Sequence, residues 1–131
     1  MADNITEDYV SYETAKLLKE KGFDEECYLH YSSNGKMQHW NYQSPIDGIS
    51  APTLQRAMKW LRKSYNITVL PGVRIPHAIC GKIESYWAGI WYVPKNNGGA
   101  LCFISPTPEN GYPSYEDACE AGIKYSLEHL I

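Results

Sequence analysis

SYEDACEAGIKYSLEHLI, residues 114–131, is the stretch whose reading decides the fold. Ser114 stands where a helix N-cap is expected, and Asp117 follows three residues on, in the manner of a capping box. Tyr115, Ala118, Cys119, Gly122, Ile123, Ser126, Leu127 and Leu130 then fall on one helical face. The residues at 118, 122 and 126 are all small. A glycine inside a helix costs about 1 kcal/mol against alanine, so Gly122 needs a reason. Close approach to a sheet supplies it.

The sheet is sought upstream. Residues 85–93 and 100–104 read as two strands joined by Pro94-Lys95-Asn96-Asn97-Gly98-Gly99 as a hairpin loop. Ile67 to Leu70 reads as a strand ended by Pro71-Gly72. Residues 27–31 and 36–40 read as a short hairpin turning at Ser33-Asn34-Gly35, and residues 41–50 carry loop chemistry. Ser11 caps a helix over residues 12–21, with Gly22 as a left-handed stop and Phe23 folding back on Leu18. A second helix runs from about Thr53 to Tyr65, with Pro52 suited to its first turn and Leu54, Ala57, Met58, Leu61 and Tyr65 on one side. The expected fold is α+β: three helices on one face of a mostly antiparallel sheet of about five strands.

Its 131 residues suit a single domain over 1–131, with residues 1–8 as a flexible leader. At 44% hydrophobic and 21% charged, the composition is that of a globular chain. No apolar run approaches the ~20 residues that span a bilayer, and the start is acidic rather than a secretory signal. A cytoplasmic protein away from the membrane is the expectation. Cys27, Cys80, Cys102 and Cys119 form no C-x-x-C pair and are expected to be reduced thiols. Eleven tyrosines and four tryptophans against two phenylalanines favour surfaces that are part apolar and part wet.

The net charge of -3 conceals an asymmetry. Residues 1–26 sum to -5 and residues 107–131 to -4, while residues 27–106 hold eight bases and two acids for +6. Two readings stand. Acidic terminal helices cover a basic middle, or the middle forms a basic face that attracts an anion. A sequence pI of about 5.8 disfavours a duplex nucleic-acid binder.

Tyr86-Trp87-Ala88-Gly89-Ile90-Trp91-Tyr92 places Trp87, Gly89 and Trp91 on one strand face. Gly89 leaves a flat gap between two indoles where a planar ring can stack, unless both tryptophans pack beneath a helix. The ligand-binding residues expected on the first reading are Arg74, His77, Lys82, Trp87, Trp91 and Lys95, the cations neutralising a phosphate on the stacked ring. Other constellations are thinner. His77 and Cys80 are two zinc-type ligands, and His30 and His39 would have to join them across the first hairpin to complete a metal site. Cys80 with His77 is the one nucleophile–base pair close in sequence. Glu84 suits a general base, or an ion pair with Lys82. Residues 96–99 are glycine-rich but lack the Lys-Ser/Thr of a P-loop. No metal, cofactor or catalytic residue is assigned on this reading.

Three stretches, YETAKLLKEKGF (12–23), APTLQRAMKWLRKSYNI (51–67) and YPSYEDACEAGIKYSLEHLI (112–131), resemble small uncharacterised proteins encoded by phages and mobile elements of gut Bacteroidales-type bacteria. The resemblance implies an intracellular phage-type accessory protein that works by binding something of the host. The leading expectation is therefore a non-enzymatic protein that sequesters a small anionic aromatic ligand, a nucleotide-type signal, as a counter-defence sponge. The alternatives are a protein-interaction module or homo-oligomer using the Tyr/Trp surface, and a small enzyme around His77, Cys80 or Glu84.

Overall fold

A computed structural model describes residues 6–32, 34–39, 48–75, 83–95 and 98–131. Helix α1 (Tyr12–Glu20) starts on Ser11, whose Oγ accepts the Thr14 N–H at 3.2 Å. It ends in a Schellman motif: the Phe23 N–H donates to Leu18 O at 2.9 Å and the Gly22 N–H to Lys19 O at 3.2 Å, with Gly22 at φ +99°. Helix α2 (Leu54–Tyr65) is capped by Thr53 and closed by Asn66 in the left-handed conformation. Pro52 thus lies just outside the helix. Helix α3 (Tyr115–His129) begins on Ser114, whose Oγ accepts the Asp117 N–H at 3.0 Å.

The fold is α+β, with three helices and antiparallel strands throughout the described residues. Those strands are divided between two three-stranded sheets instead of forming one. Strands β1 (Leu29–Tyr31), β2 (Met37–His39) and β3 (Ile49–Ala51) form the first, in the order β2-β1-β3. Strands β4 (Thr68–Arg74), β5 (Ser85–Tyr92) and β6 (Cys102–Ile104) form the second, in the order β4-β5-β6. The division has a local cause. Each strand pairs only within its own stretch of chain, and α2 is inserted between β3 and β4. Strand β3 was hidden at the edge of the expected loop, where Ile49-Ser50-Ala51 pairs with β1. Residues 41–47 of that loop, and Trp40 of the expected hairpin, lie outside the described residues.

Strand β4 does not stop at Pro71. Pro71 is opposite Ala88, whose N–H and C=O are bonded on the side away from β4: the N–H to Thr107 Oγ1 at 2.9 Å, and the C=O by the Ser105 hydroxyl at 2.7 Å. The missing proline N–H therefore faces the outer edge and costs the ladder nothing. Further along the same side of β5, Tyr86 and Tyr112 exchange two backbone bonds at 2.9 and 2.7 Å.

One apolar cluster joins all three helices and both sheets, including Leu18, Tyr31, Leu61, Val69, Ile90 and Ile123. Helix α3 is the hub, packed on β4, β5, α1 and α2. Its small residues lie where the reading of 114–131 put them, since Ala118, Gly122 and Ser126 are all buried. A Cβ built on Gly122 would stand 2.5 Å from Val69 Cγ1. Glu120 ties α3 to α1: its Oε1 accepts the Ser11 N–H at 2.9 Å and the Thr14 hydroxyl at 2.7 Å. A carboxylate there also faces the positive end of the α1 dipole.

Gly122→Ala should therefore lower stability, by about 1–2 kcal/mol, although alanine gains about 1 kcal/mol in helix propensity. Chemical denaturation checks this, and in a Val69→Ala background the same change should be neutral or stabilising. A more stable Gly122→Ala single variant would refute the close-approach account.

Candidate functional site

The second sheet has two unlike faces. Val69, Ala88 and Ile90 are buried on the helix side. Strand alternation puts Leu70, Gly72, Trp87, Gly89 and Trp91 on the other side. Phe103, opposite Trp91 in the register, joins them.

Trp87 lies flat on this outer face. A Cβ on Gly72 would meet its Cζ2 at 2.0 Å, and one on Gly89 would meet its Cζ3 at 2.7 Å. The Trp87 Nε1–H donates to Val73 O at 3.3 Å, which fixes the ring. The gap expected over Gly89 is thus filled from within, by Trp87 and by the Phe103 ring at 2.8 Å from the same hypothetical Cβ. The tryptophans are not under a helix either, because α3 packs on the opposite face. Glycines at 72 and 89 let one indole lie down, and that flattens the face.

Beside it Leu70, Trp91 and Phe103 remain 48%, 39% and 47% exposed. Trp91 and Phe103 are in ring contact, with centroids 4.8 Å apart and planes inclined by 49°. Leu70, Gly72 and Phe103 were missed in the sequence. Pro71-Gly72 reads as a terminator, and Phe103 becomes visible as a surface residue only once the Trp91 register is known.

Among the described residues the bases do not gather at this face. Arg74 pairs with Ser85 at one end of β5, and its Nη1 donates to Glu109 O at 2.9 Å. Lys95 is exposed beyond Tyr92 at the other end. The seven steps from Ser85 to Tyr92, at about 3.3 Å each, separate those ends by roughly 23 Å. His77, Cys80 and Lys82 lie outside the described residues. Glu84 is exposed and its N–H donates to Arg74 O. His30 is buried in β1 with Gln38 and Ser50 as its register partners, whereas His39 is opposite Leu29 in the register. Among the described residues no group of three or more His, Cys, Asp or Glu side chains is placed to hold a metal ion.

Where bases do gather is α2. Arg56, Lys59, Arg62 and Lys63 are all exposed and, with Trp60 and Gln55, line an open groove of about 650 Å³. Glu25 faces Arg56 across 3.7 Å.

Two of the thiols are chemically quiet. Burial raises the Cys27 thiol above its ordinary value, against the nearby Arg56 charge. Burial likewise pushes Cys119 up to about 11, the Tyr115 hydrogen bond opposing. Many tyrosines are architectural. The Tyr31 hydroxyl donates to Val10 O at 2.6 Å, Tyr65 to Lys21 O at 2.7 Å and Tyr112 to Pro106 O at 3.0 Å.

Among the described residues no helix is long and apolar enough to cross a membrane. No protein-family model, curated protein or solved structure matches the chain.

The raised Cys119 thiol has a stability consequence. The folded chain keeps a proton that the unfolded chain loses above pH 9, so this contribution is complete below pH 9 and is lost as pH rises toward 11. The fall in melting temperature over that window should be shallower in Cys119→Ala than in the wild type. At pH 8, alkylation read by mass spectrometry should spare Cys27 and Cys119 until denaturant is added; labelling of either in the folded protein would refute their burial.

Proposed function

We propose that the protein works by binding rather than by catalysis, and that its binding surface is the outer face of the β4-β5-β6 sheet. The observation that carries this is the joint exposure of Leu70, Trp91 and Phe103 on a sheet face flattened by Trp87. Two large aromatics in mutual contact, one of them Trp, are the kind of anchor that dominates protein–protein interfaces. Among the described residues none at the centre of the face is charged; the cations nearest along the strands, Arg74 and Lys95, stand at its ends. Charge-depleted centres with polar margins are the usual anatomy of such an interface.

The occupant this face fits best is a second copy of the chain. The sheet is closed by α3 on one side and open on the other. An identical face turned through a two-fold axis would complete a sheet-on-sheet layer about 10 Å thick. The resemblance to phage and mobile-element accessory proteins is in keeping with a role exerted through binding. The alternative, an anionic aromatic ligand held by Arg74, His77, Lys82, Trp87, Trp91 and Lys95, draws less support. Arg74 and Lys95 are at opposite ends of β5, and the space over Gly89 is occupied by the protein's own rings.

Light scattering after size exclusion should give a dimer mass at micromolar concentration, and Trp91→Ala/Phe103→Ala should give the monomer mass with an unchanged far-ultraviolet circular dichroism spectrum. A wild-type monomer at every concentration, or a dimer indifferent to both substitutions, would overturn the proposal. A melting shift with a nucleotide, lost in Trp91→Ala, would favour the ligand reading instead.

A further inference from the structure

We infer that the exposed side of α2 is an anion site for a ligand carrying several linked phosphate groups. At 100° per residue, Arg56, Lys59, Arg62 and Lys63 fall within an arc of about 120°, nearly opposite the buried Leu54, Ala57, Met58 and Leu61. From Arg56 to Lys63 the arc extends about 10 Å along the helix axis. That length lets the bases meet more than one phosphate at a time.

The helix carries this arrangement at a cost. Lys59 has a like charge three residues before it, three residues after it and four residues after it. Each such pair opposes the helix slightly. The macrodipole explains Arg62 and Lys63, which lie in the last turn. It does not explain Arg56, which lies in the first turn, where a cation is unfavourable and where α2 has no acid. In a protein of net charge -3, four bases without an acid on one 12-residue helix are not a by-product of composition.

Neutralisation from within is slight. Glu25 approaches Arg56 at 3.7 Å with both side chains 45% exposed, a weak pair. Among the described residues no carboxylate comes within ion-pair distance of Lys59, Arg62 or Lys63. The groove adds donors between the charges: the Gln55 amide, which already reaches the Tyr115 hydroxyl at 3.2 Å, and the Ser64 hydroxyl. The half-buried Trp60 is braced edge-on by Phe23 and Tyr65, with centroids 5.4 and 5.3 Å away, and gives the groove a firm apolar wall. This site is independent of the open sheet face and can stand or fall without it.

The test is thermal melting and isothermal calorimetry of the full chain with inorganic triphosphate, inorganic monophosphate and a nucleoside triphosphate at matched ionic strength. Triphosphate should raise the melting temperature and monophosphate should leave it nearly unchanged. Lys59→Gln/Arg62→Gln/Lys63→Gln should stay folded and melt close to wild type without ligand, because relief of the like-charge pairs offsets the lost dipole contacts of Arg62 and Lys63, and should lose the triphosphate response. Glu25→Gln, which releases Arg56, should tighten triphosphate binding several-fold. Equal response to inorganic and nucleoside triphosphate assigns the site to the phosphate chain alone, while a tighter nucleoside ligand adds a base to what the groove holds. No response to either triphosphate, or a response that persists in the triple variant, would overturn the site.

Discussion

Val69 occupies the space where a side chain on residue 122 would be. The absence of that side chain lets α3 settle on β4 and β5, and most of the fold depends on the settlement. Once α3 is seated, its Glu120 reaches the start of α1, and Ile123 and Leu127 close the core shared with α2. The seating also decides what is left over. A three-stranded sheet has two faces, and α3 covers one. Leu70, Trp91 and Phe103 on the other are exposed because the close approach takes place on the opposite side.

Much of this was legible in the chain. The helices announce themselves through short-range chemistry: a hydroxyl before α1 and α3, a glycine after α1, small residues spaced along α3, and the apolar period of α2, whose cap Thr53 reads in the sequence as its first residue. These signals act over three or four residues, so their meaning does not depend on distant partners. The strands were harder. Pro71 reads as a stop, and only the hydrogen-bond direction of Ala88, set by Ser105 and Thr107 far along the chain, makes it harmless. Ile49-Ser50-Ala51 becomes a strand because β1 has an edge to offer, which no local pattern reveals.

The candidate site was legible in kind and not in detail. The aromatic segment 86–92 does carry the open face, but the glycine expected to leave a gap instead accommodates Trp87. Tyrosine abundance was a mixed signal. Tyr31 and Tyr65 spend their hydroxyls on the carbonyls of distant Val10 and Lys21, and Tyr112 on that of Pro106 six residues away, bonds a phenylalanine could not make. The basic middle of the sequence was a mixed signal too. Folding sends Arg74 and Lys95 to opposite ends of one strand and leaves the dense group on α2. The charge was real, but its location follows from helix periodicity rather than from proximity to the tryptophans.

The two hydroxyls at Ala88 reach beyond the strand they complete. Together with Tyr112 and the short β6, they leave β5 no unbonded stretch on that side, and on the opposite border of the sheet Pro71 offers no N–H to a newcomer. Growth of the sheet by strand addition is therefore blunted in both lateral directions. An apolar sheet surface is ordinarily a hazard, since it invites stacking while its borders invite polymerisation. Here the second invitation is withdrawn, so the face-to-face pairing proposed above would end once the face is covered, a closed assembly in place of a fibre.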